Sequence, residues 1–429
     1  MTTDKGSEFT WYVDEDADVS SWETAPHSGP SRGGRYRLYL VIGILLGVVL
    51  LAGAVYLHVR VKASQLRRDF QAVVDREWQL FISSPSEMQG LVTEDVPSEQ
   101  VFGPWAFFMF FYGTYATPSP FPPAPQVVSV ILQDAGATAW VLQEMRLPQV
   151  ACRWMTFYRL TDAGWKRTAP DVRFWGPEVM GERAHIRWRT YEREAQIAQR
   201  QADEWEALYT LIMSYLPPEA VPPQVNIEYQ ISYHDTFVYG SPHVPTHLRV
   251  PVFYVWGITL DQRPCPPSRF FYLYNFVNWT VMSTVHSPSS LQAPSSSANA
   301  LLTGVQSYLM EQAVATGDPA LQPVWEKISQ GAYVASSEGG PPPRVEEMRW
   351  NTPHAMYYAH LLVSFVAQKY GPQGIARLVR ALRGDAVGIK AVLMDALGQD
   401  LDLDAFNREW HAYIREYEQS HPSPTMTPP

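Results

Sequence analysis

Between Arg37 and Arg60 the residues Leu38 to Val59 include no Asp, Glu, Lys or Arg. As a helix rising about 1.5 Å per residue, that run crosses a hydrocarbon core of roughly 30 Å. Only a helix satisfies its own backbone in lipid, so the run predicts a single transmembrane helix over 37–60. A secretory leader is the competing reading. The run starts too far from the N-terminus, exceeds an apolar leader core of about 7–15 residues, and lacks a small-x-small cleavage site before Arg60. A signal-anchor is the favoured reading.

The flanking charges nearly balance. Arg32, Arg35 and Arg37 stand at one end, and Arg60, Lys62, Arg67 and Arg68 at the other. A long C-terminal body translocates largely regardless of charge, which places the N-terminus inside and the body outside the cytoplasm. Residues 1–36 read as a disordered acidic tail: Asp4, Glu8, Asp14, Glu15, Asp16, Asp18 and Glu23 stand against Lys5 and Arg32. Phe9, Trp11, Tyr12 and Trp22 are interleaved with those acids, so the tail is either a docking segment or simply solvated.

The net charge of −10 excludes a phosphate backbone as an expected partner, because nucleic-acid binding needs concentrated Lys and Arg. The 36 prolines exceed the usual ~5% and predict extended connections. Cys152 and Cys265 are the only cysteines, and they can form one disulfide if the body lies outside the cytoplasm.

After the membrane, VKASQLRRDFQAVVDREWQLFISS reads as an amphipathic helix with Phe70, Val73, Val74, Trp78 and Phe81 at helical spacing. GPWAFFMFFYGTY is too short to span and reads as a buried element. QVVSVILQDAG, TAWVLQEMRL, CRWMTFYRLT and GWKRTAPDVRFWG read as strands, with a hairpin turn at Asp162–Ala163–Gly164. HIRWRTYEREAQIAQRQADEWEALYTLIMSYL opens as a strand and continues as a helix, with Ile197, Ala198, Ala202, Trp205, Leu208 and Ile212 on one face. VNIEYQIS and LRVPVFYVWGITL read as further strands. Thr352 and Pro353 open a helix that Gly371 and Pro372 close, and three more helices follow before a disordered 420–429. The fold class is α+β.

The helix and strands over 65–178, ending in Trp165, Arg167, Thr168, Pro170, Phe174, Trp175 and Gly176, resemble a cone domain of the nuclear-transport-factor-two-like superfamily. Residues 180–419, with SFV…KYG, LVRALRG, ALG and REW in order, resemble a peptidase MA-like (gluzincin) domain ending in a helical bundle. That resemblance implies H-E-x-x-H on one helix, where two histidines bind zinc and the glutamate activates water, with a later glutamate as third ligand.

The sequence contains no His-Glu dipeptide. Laying the family pattern on RFFYLYNFVNWTVMSTVH puts Asn275 and Trp279 at the histidine positions and Phe276 at the base. In ALLTGVQSYLM it puts Thr303 at the third ligand, with Gly304 and Tyr308 kept. The resemblance therefore implies a degenerate, metal-free pseudo-peptidase with no cofactor.

His243 and His247 have ligand spacing, but Pro242 and Pro245 break a helix there. Glu311 serves as a ligand only if the alignment slips by two turns. His354, His360 and His411 have no carboxylate partner placed by spacing. No G-x-S-x-G or phosphate loop appears.

Two binding regions remain. The cone domain supplies Trp105, Phe107, Trp140, Trp154, Tyr158 and Trp175 as a possible pocket lining, against a filled core. The degenerate cleft beside Tyr274, Trp279 and Tyr308 can hold a peptide without cutting it. The expected role is non-catalytic: peptide or protein binding, or scaffolding, at the cell envelope. The alternatives are a divergent zinc metallopeptidase or a ligand-binding sensor using the cone pocket.

Overall fold

The computed structural model describes residues 32–94, 96, 105, 123–146, 150–220, 223–231, 247–285, 296–317, 321–326, 342–347, 355–384 and 388–420. Two compact units divide at Ser64: Met1–Ser64 and Gln65–Pro429.

Helix α1 (Arg32–Ser83) runs 52 residues without a break. It begins six residues before Leu38, and it joins the transmembrane and amphipathic stretches that the sequence separates. No proline and no glycine after Gly53 interrupts it. In the first unit its apolar side chains, from Tyr39 to Val61, are exposed. This is one helix long and apolar enough to cross a membrane.

In the second unit α1 turns amphipathic. Phe70, Val74 and Trp78, four residues apart on one face, are buried. They cover an antiparallel meander of β1 (Gln126–Gln133), β2 (Thr138–Arg146), β3 (Ala151–Thr161) and β4 (Gly164–Arg167). Alternate residues of β2, namely Ala139, Val141, Gln143 and Met145, are buried, as period-two side chains on one sheet face must be. Phe70 packs with Ala139, Val141 and Tyr158. The β3–β4 hairpin turns at Asp162–Ala163, with Thr161 opposite Gly164 and Gly164 at φ +97°, as the sequence predicts. The expected strand after it stops at Arg167 and gives way to a single turn, Val172–Phe174.

A second sheet, in order β5-β6-β7-β8, follows. β5 (Glu178–Glu182) and β6 (Ile186–Tyr191) are antiparallel, whereas β7 (Val225–Gln230) and β8 (His247–Pro251) continue parallel to β6. A parallel neighbour requires a crossover, and α2 (Ala195–Met213) provides it between β6 and β7. Its predicted stripe is buried, with Leu208 partly so.

The stretch read as one strand, LRVPVFYVWGITL, is instead β8, a helical turn Phe253–Trp256, and β9 (Ile258–Thr259), which pairs with β3. Gly257 at φ +106° allows that reversal. Cys152 of β3 is joined by a disulfide to Cys265, beside β9 in sequence.

The remainder is helical: α3 (Pro266–Val285), α4 (Ser296–Gly317), α5 (Ala355–Tyr370), α6 (Pro372–Leu382), α7 (Ile389–Leu397) and α8 (Leu403–Ser420). Gly371 at φ +67° and Pro372 at the first position of α6 turn the chain as expected. Gly304 lets α4 cross α5 closely; a Cβ there would lie 2.4 Å from the Ala359 carbonyl oxygen. One hydrophobic cluster extends from Trp78 to Ile414 and includes residues on both sides of position 179. Residues 1–31 of the acidic tail, the Thr352–Pro353 helix start, residues 421–429 and all of GPWAFFMFFYGTY except Trp105 lie outside the described residues, whereas 32–36 and Ser420, read as disordered, are helical because they extend the helices beside them.

Candidate functional site

The four positions laid on the peptidase pattern all fall on helices, as expected, but they do not share one role. Asn275 Nδ2 donates to the Phe271 carbonyl of its own helix at 2.7 Å. Trp279 is buried, and Thr303 on α4 is half-buried. Phe276 lines an open space. It faces Trp205 of α2 edge-on, with centroids 4.5 Å apart and planes at 75°.

That space is a cavity of about 400 Å³ among α2, α3 and α4. Helical geometry explains its lining. Gln201, Trp205 and Leu208 recur on one face of α2, Arg269, Leu273 and Phe276 on α3, and Ala313 and Gly317 on α4. The walls are apolar, and the polar groups cluster. Gln201 Nε2 donates to Glu204 Oε2 at 3.1 Å, and Arg269 holds Glu204 Oε1 at 3.1 Å. A concave, mainly apolar space of this size with a few converging polar groups is the usual form of a ligand pocket.

The rings named for the cone, as pocket lining or filled core, are mostly buried. Trp105, Trp154, Tyr158 and Trp175 are at most 1% exposed. Trp140 is half-buried and donates to Asp171 Oδ2 at 3.1 Å. Phe107 lies outside the described residues.

Trp105 packs edge-on against Trp78 and Phe81, and the Arg167 guanidinium sits 4.1 Å from its ring centroid. Arg167 Nε is 2.9 Å from Glu77 Oε2, and the Tyr158 hydroxyl donates to the same oxygen at 2.8 Å. Gln143 Nε2 in turn donates to Tyr158 and to Thr156. Trp105 and Tyr158 thus pack around a buried ion pair that sequence spacing did not reveal.

A second group missed in the sequence is Glu194, at the start of α2. It is fully buried and accepts from the Tyr254 N–H at 2.8 Å, while Oε2 has no partner among the described residues. Burial pushes its carboxyl up to about 8 from an ordinary 4.5, against the opposing backbone hydrogen bonds of Tyr254 and Phe253. A folded value above the unfolded one means that its stabilisation is complete below pH 4.5 and is lost as pH rises through about 8. Glu194→Gln removes that dependence. Urea unfolding across pH 5–9 should show the variant gaining on the parent as pH rises, by on the order of 4 kcal/mol at pH 9.

Among the histidines, His360 of α5 is buried with Nε2 3.7 Å from Glu311 Oε2, a partner supplied by α4–α5 packing rather than by spacing. Burial pushes its imidazole down to about 4, so it stays neutral. His411 Nε2 lies 3.3 Å from the Pro343 carbonyl. His247 opens β8, and His243 and His354 lie outside the described residues. Among the described residues, no group of three or more His, Cys, Asp or Glu is placed to hold a metal ion. Tyr274 is exposed, while Tyr308 packs edge-on against Tyr215.

No family model matches the chain, and no curated protein or solved structure is significantly similar to it.

Proposed function

We propose that this is a membrane-anchored, non-catalytic binding protein whose body holds an apolar side chain of a peptide or protein partner between α2, α3 and α4. The observation that carries this reading is Phe276. The position where the peptidase pattern needs a general base is instead a phenyl wall of an apolar cavity. A phenyl ring neither binds zinc nor activates water, but it does bury an apolar group.

The domain reading belongs to the same proposal. An antiparallel meander covered by one helix supports the cone fold over 65–178. A βαβ unit followed by a helical bundle supports the degenerate peptidase MA-like fold over 180–419. The Cys152–Cys265 disulfide supports a body in an oxidising compartment, with the N-terminus in the cytoplasm, because such bonds persist mainly outside reducing cytosol. The sensor alternative, which needs an open ring-lined cone, draws no support from rings that are almost wholly buried.

The test is to present a defined peptide mixture to the full chain in phospholipid nanodiscs and ask what is retained and what is cut. Retention without cleavage is expected, together with loss of retention when Ala313→Trp fills the cavity.

A further inference from the structure

In the first unit, the C-terminal end of the apolar run pairs its polar side chains by helical spacing. Tyr39 and Tyr56 stand near the two ends of the run, both exposed, and seventeen positions of α1 separate them. At about 1.5 Å per residue the two lie ~25 Å apart along the helix, close to the span between the two interfaces at which tyrosine settles in a bilayer. Tyr56 therefore marks the border, and Arg60 stands one turn beyond it on the same face. His58 and Lys62 repeat that four-residue spacing on the opposite side, about 200° round the helix. All four side chains are exposed.

A long helical side chain leans toward the N-terminus, over the turn before its own. Arg60 thus reaches back to the level of Tyr56, and Lys62 to the level of His58. Each pair sets a cation beside a second hydrogen-bond donor, a phenol O–H in one and an imidazole N–H in the other.

We infer that this end of α1 holds two anionic phospholipids by their headgroup phosphates, one at Tyr56–Arg60 and one at His58–Lys62. The inference rests on the membrane anchoring proposed above and adds which lipids that anchor gathers.

A phosphodiester accepts from a cationic donor and from an O–H or N–H at once. Every phospholipid carries that phosphate, so discrimination lies in the rest of the headgroup. A zwitterionic headgroup adds a cation, which needs a carboxylate close by. From Leu38 to Arg68 the chain has no Asp or Glu, although its net charge is −10, and the first acid after the run is Asp69. Phosphatidylcholine would therefore set its ammonium against Arg60 or Lys62 with nothing to offset it. Phosphatidylglycerol brings only the charge that those residues attract. A free phosphate ion is a poorer occupant, because the chains of a lipid also cover the exposed Val55, Leu57 and Val59 beside the two sites.

The test is native mass spectrometry of the full chain released from nanodiscs of equimolar phosphatidylglycerol and phosphatidylcholine, which counts the lipids each copy retains. Two phosphatidylglycerols per chain are expected, favoured about fivefold over phosphatidylcholine at each site, the gain from one basic side chain near a charged headgroup. Arg60→Gln and Lys62→Gln should each leave one, and the two changes together none above the phosphatidylcholine background. Tyr56→Phe should weaken the Arg60 site alone. Arg67→Gln with Arg68→Gln should keep both lipids, which separates two built sites from a diffuse basic field. The two-lipid comparison on the unmodified chain decides the matter even if a variant fails to assemble. Equal retention of the two lipids by a chain seated in the nanodisc overturns the inference and leaves the anchor standing. A preference that is lost with Arg67 and Arg68, and kept without Arg60 and Lys62, overturns it too. A chain that never enters the nanodisc removes the anchor, and this inference with it.

Discussion

Replacing both Cys152 and Cys265 by alanine is expected to lower the unfolding free energy by about 4–5 kcal/mol, the chain-entropy cost of releasing a long loop. The bond closes a sequence separation of 113 residues, so the unfolded chain gains much freedom when it is cut. Both sulfurs are fully buried, and β9 pairs with β3 at Cys152 itself, opposite Thr259. Cutting the bond therefore also weakens the junction between the meander and the start of α3. Urea unfolding of the double variant, followed by tryptophan emission, measures this directly. Coincident midpoints for variant and parent would show that the bond does not constrain the fold.

The second large effect concerns Glu77. Truncation to alanine removes the Glu77 carboxylate from Arg167 while the guanidinium remains 1% exposed. Removing one partner of a buried ion pair is expected to cost about 3–5 kcal/mol. Replacing the pair together, Glu77→Leu with Arg167→Met, should restore most of that loss, because an apolar pair of similar volume avoids the desolvation penalty. Arg167 also lies over the Trp105 ring, so the double variant will not recover everything. A single variant within 0.5 kcal/mol of the parent would place the guanidinium in water rather than in the core.

What the sequence made legible depends on whether the causes are local. The apolar run declares itself because lipid demands it of a helix, with no partner needed. The β3–β4 hairpin follows from Asp162–Ala163–Gly164 between aromatic strands, and the α2 stripe follows from period alone. The ion pair was not legible. Glu77 looks like one of several charged residues on an amphipathic helix, and only packing against a strand 90 residues later shows it to be buried. Glu194 was hidden in the same way, among ordinary charges at the start of a helix.

The candidate site was not legible. Laying the motif on α3 put Phe276 at a lost general-base position, and only the packing of three helices shows it as part of a cavity wall. Asn275 and Trp279 do not line it, because adjacent and one-turn-removed residues of a helix meet different neighbours. Gln201 gave no sequence signal: it lies at an edge of the apolar stripe, where a glutamine reads as surface. The aromatic residues of the meander left two readings open for a related reason. Composition tells that rings are present, but whether they surround a space or fill it depends on how α1 lies over the sheet.

The account stands on one measurement above the others. The full chain, purified in nanodiscs without chelator, is assayed for bound zinc and mixed with the defined peptides, and the bound and unbound fractions are sequenced by mass spectrometry. The account predicts no stoichiometric zinc, intact peptides in both fractions, and retention that disappears with Ala313→Trp. One zinc per chain with peptide cleavage that a chelator abolishes would contradict it, and would make this body a working metallopeptidase with a rearranged site.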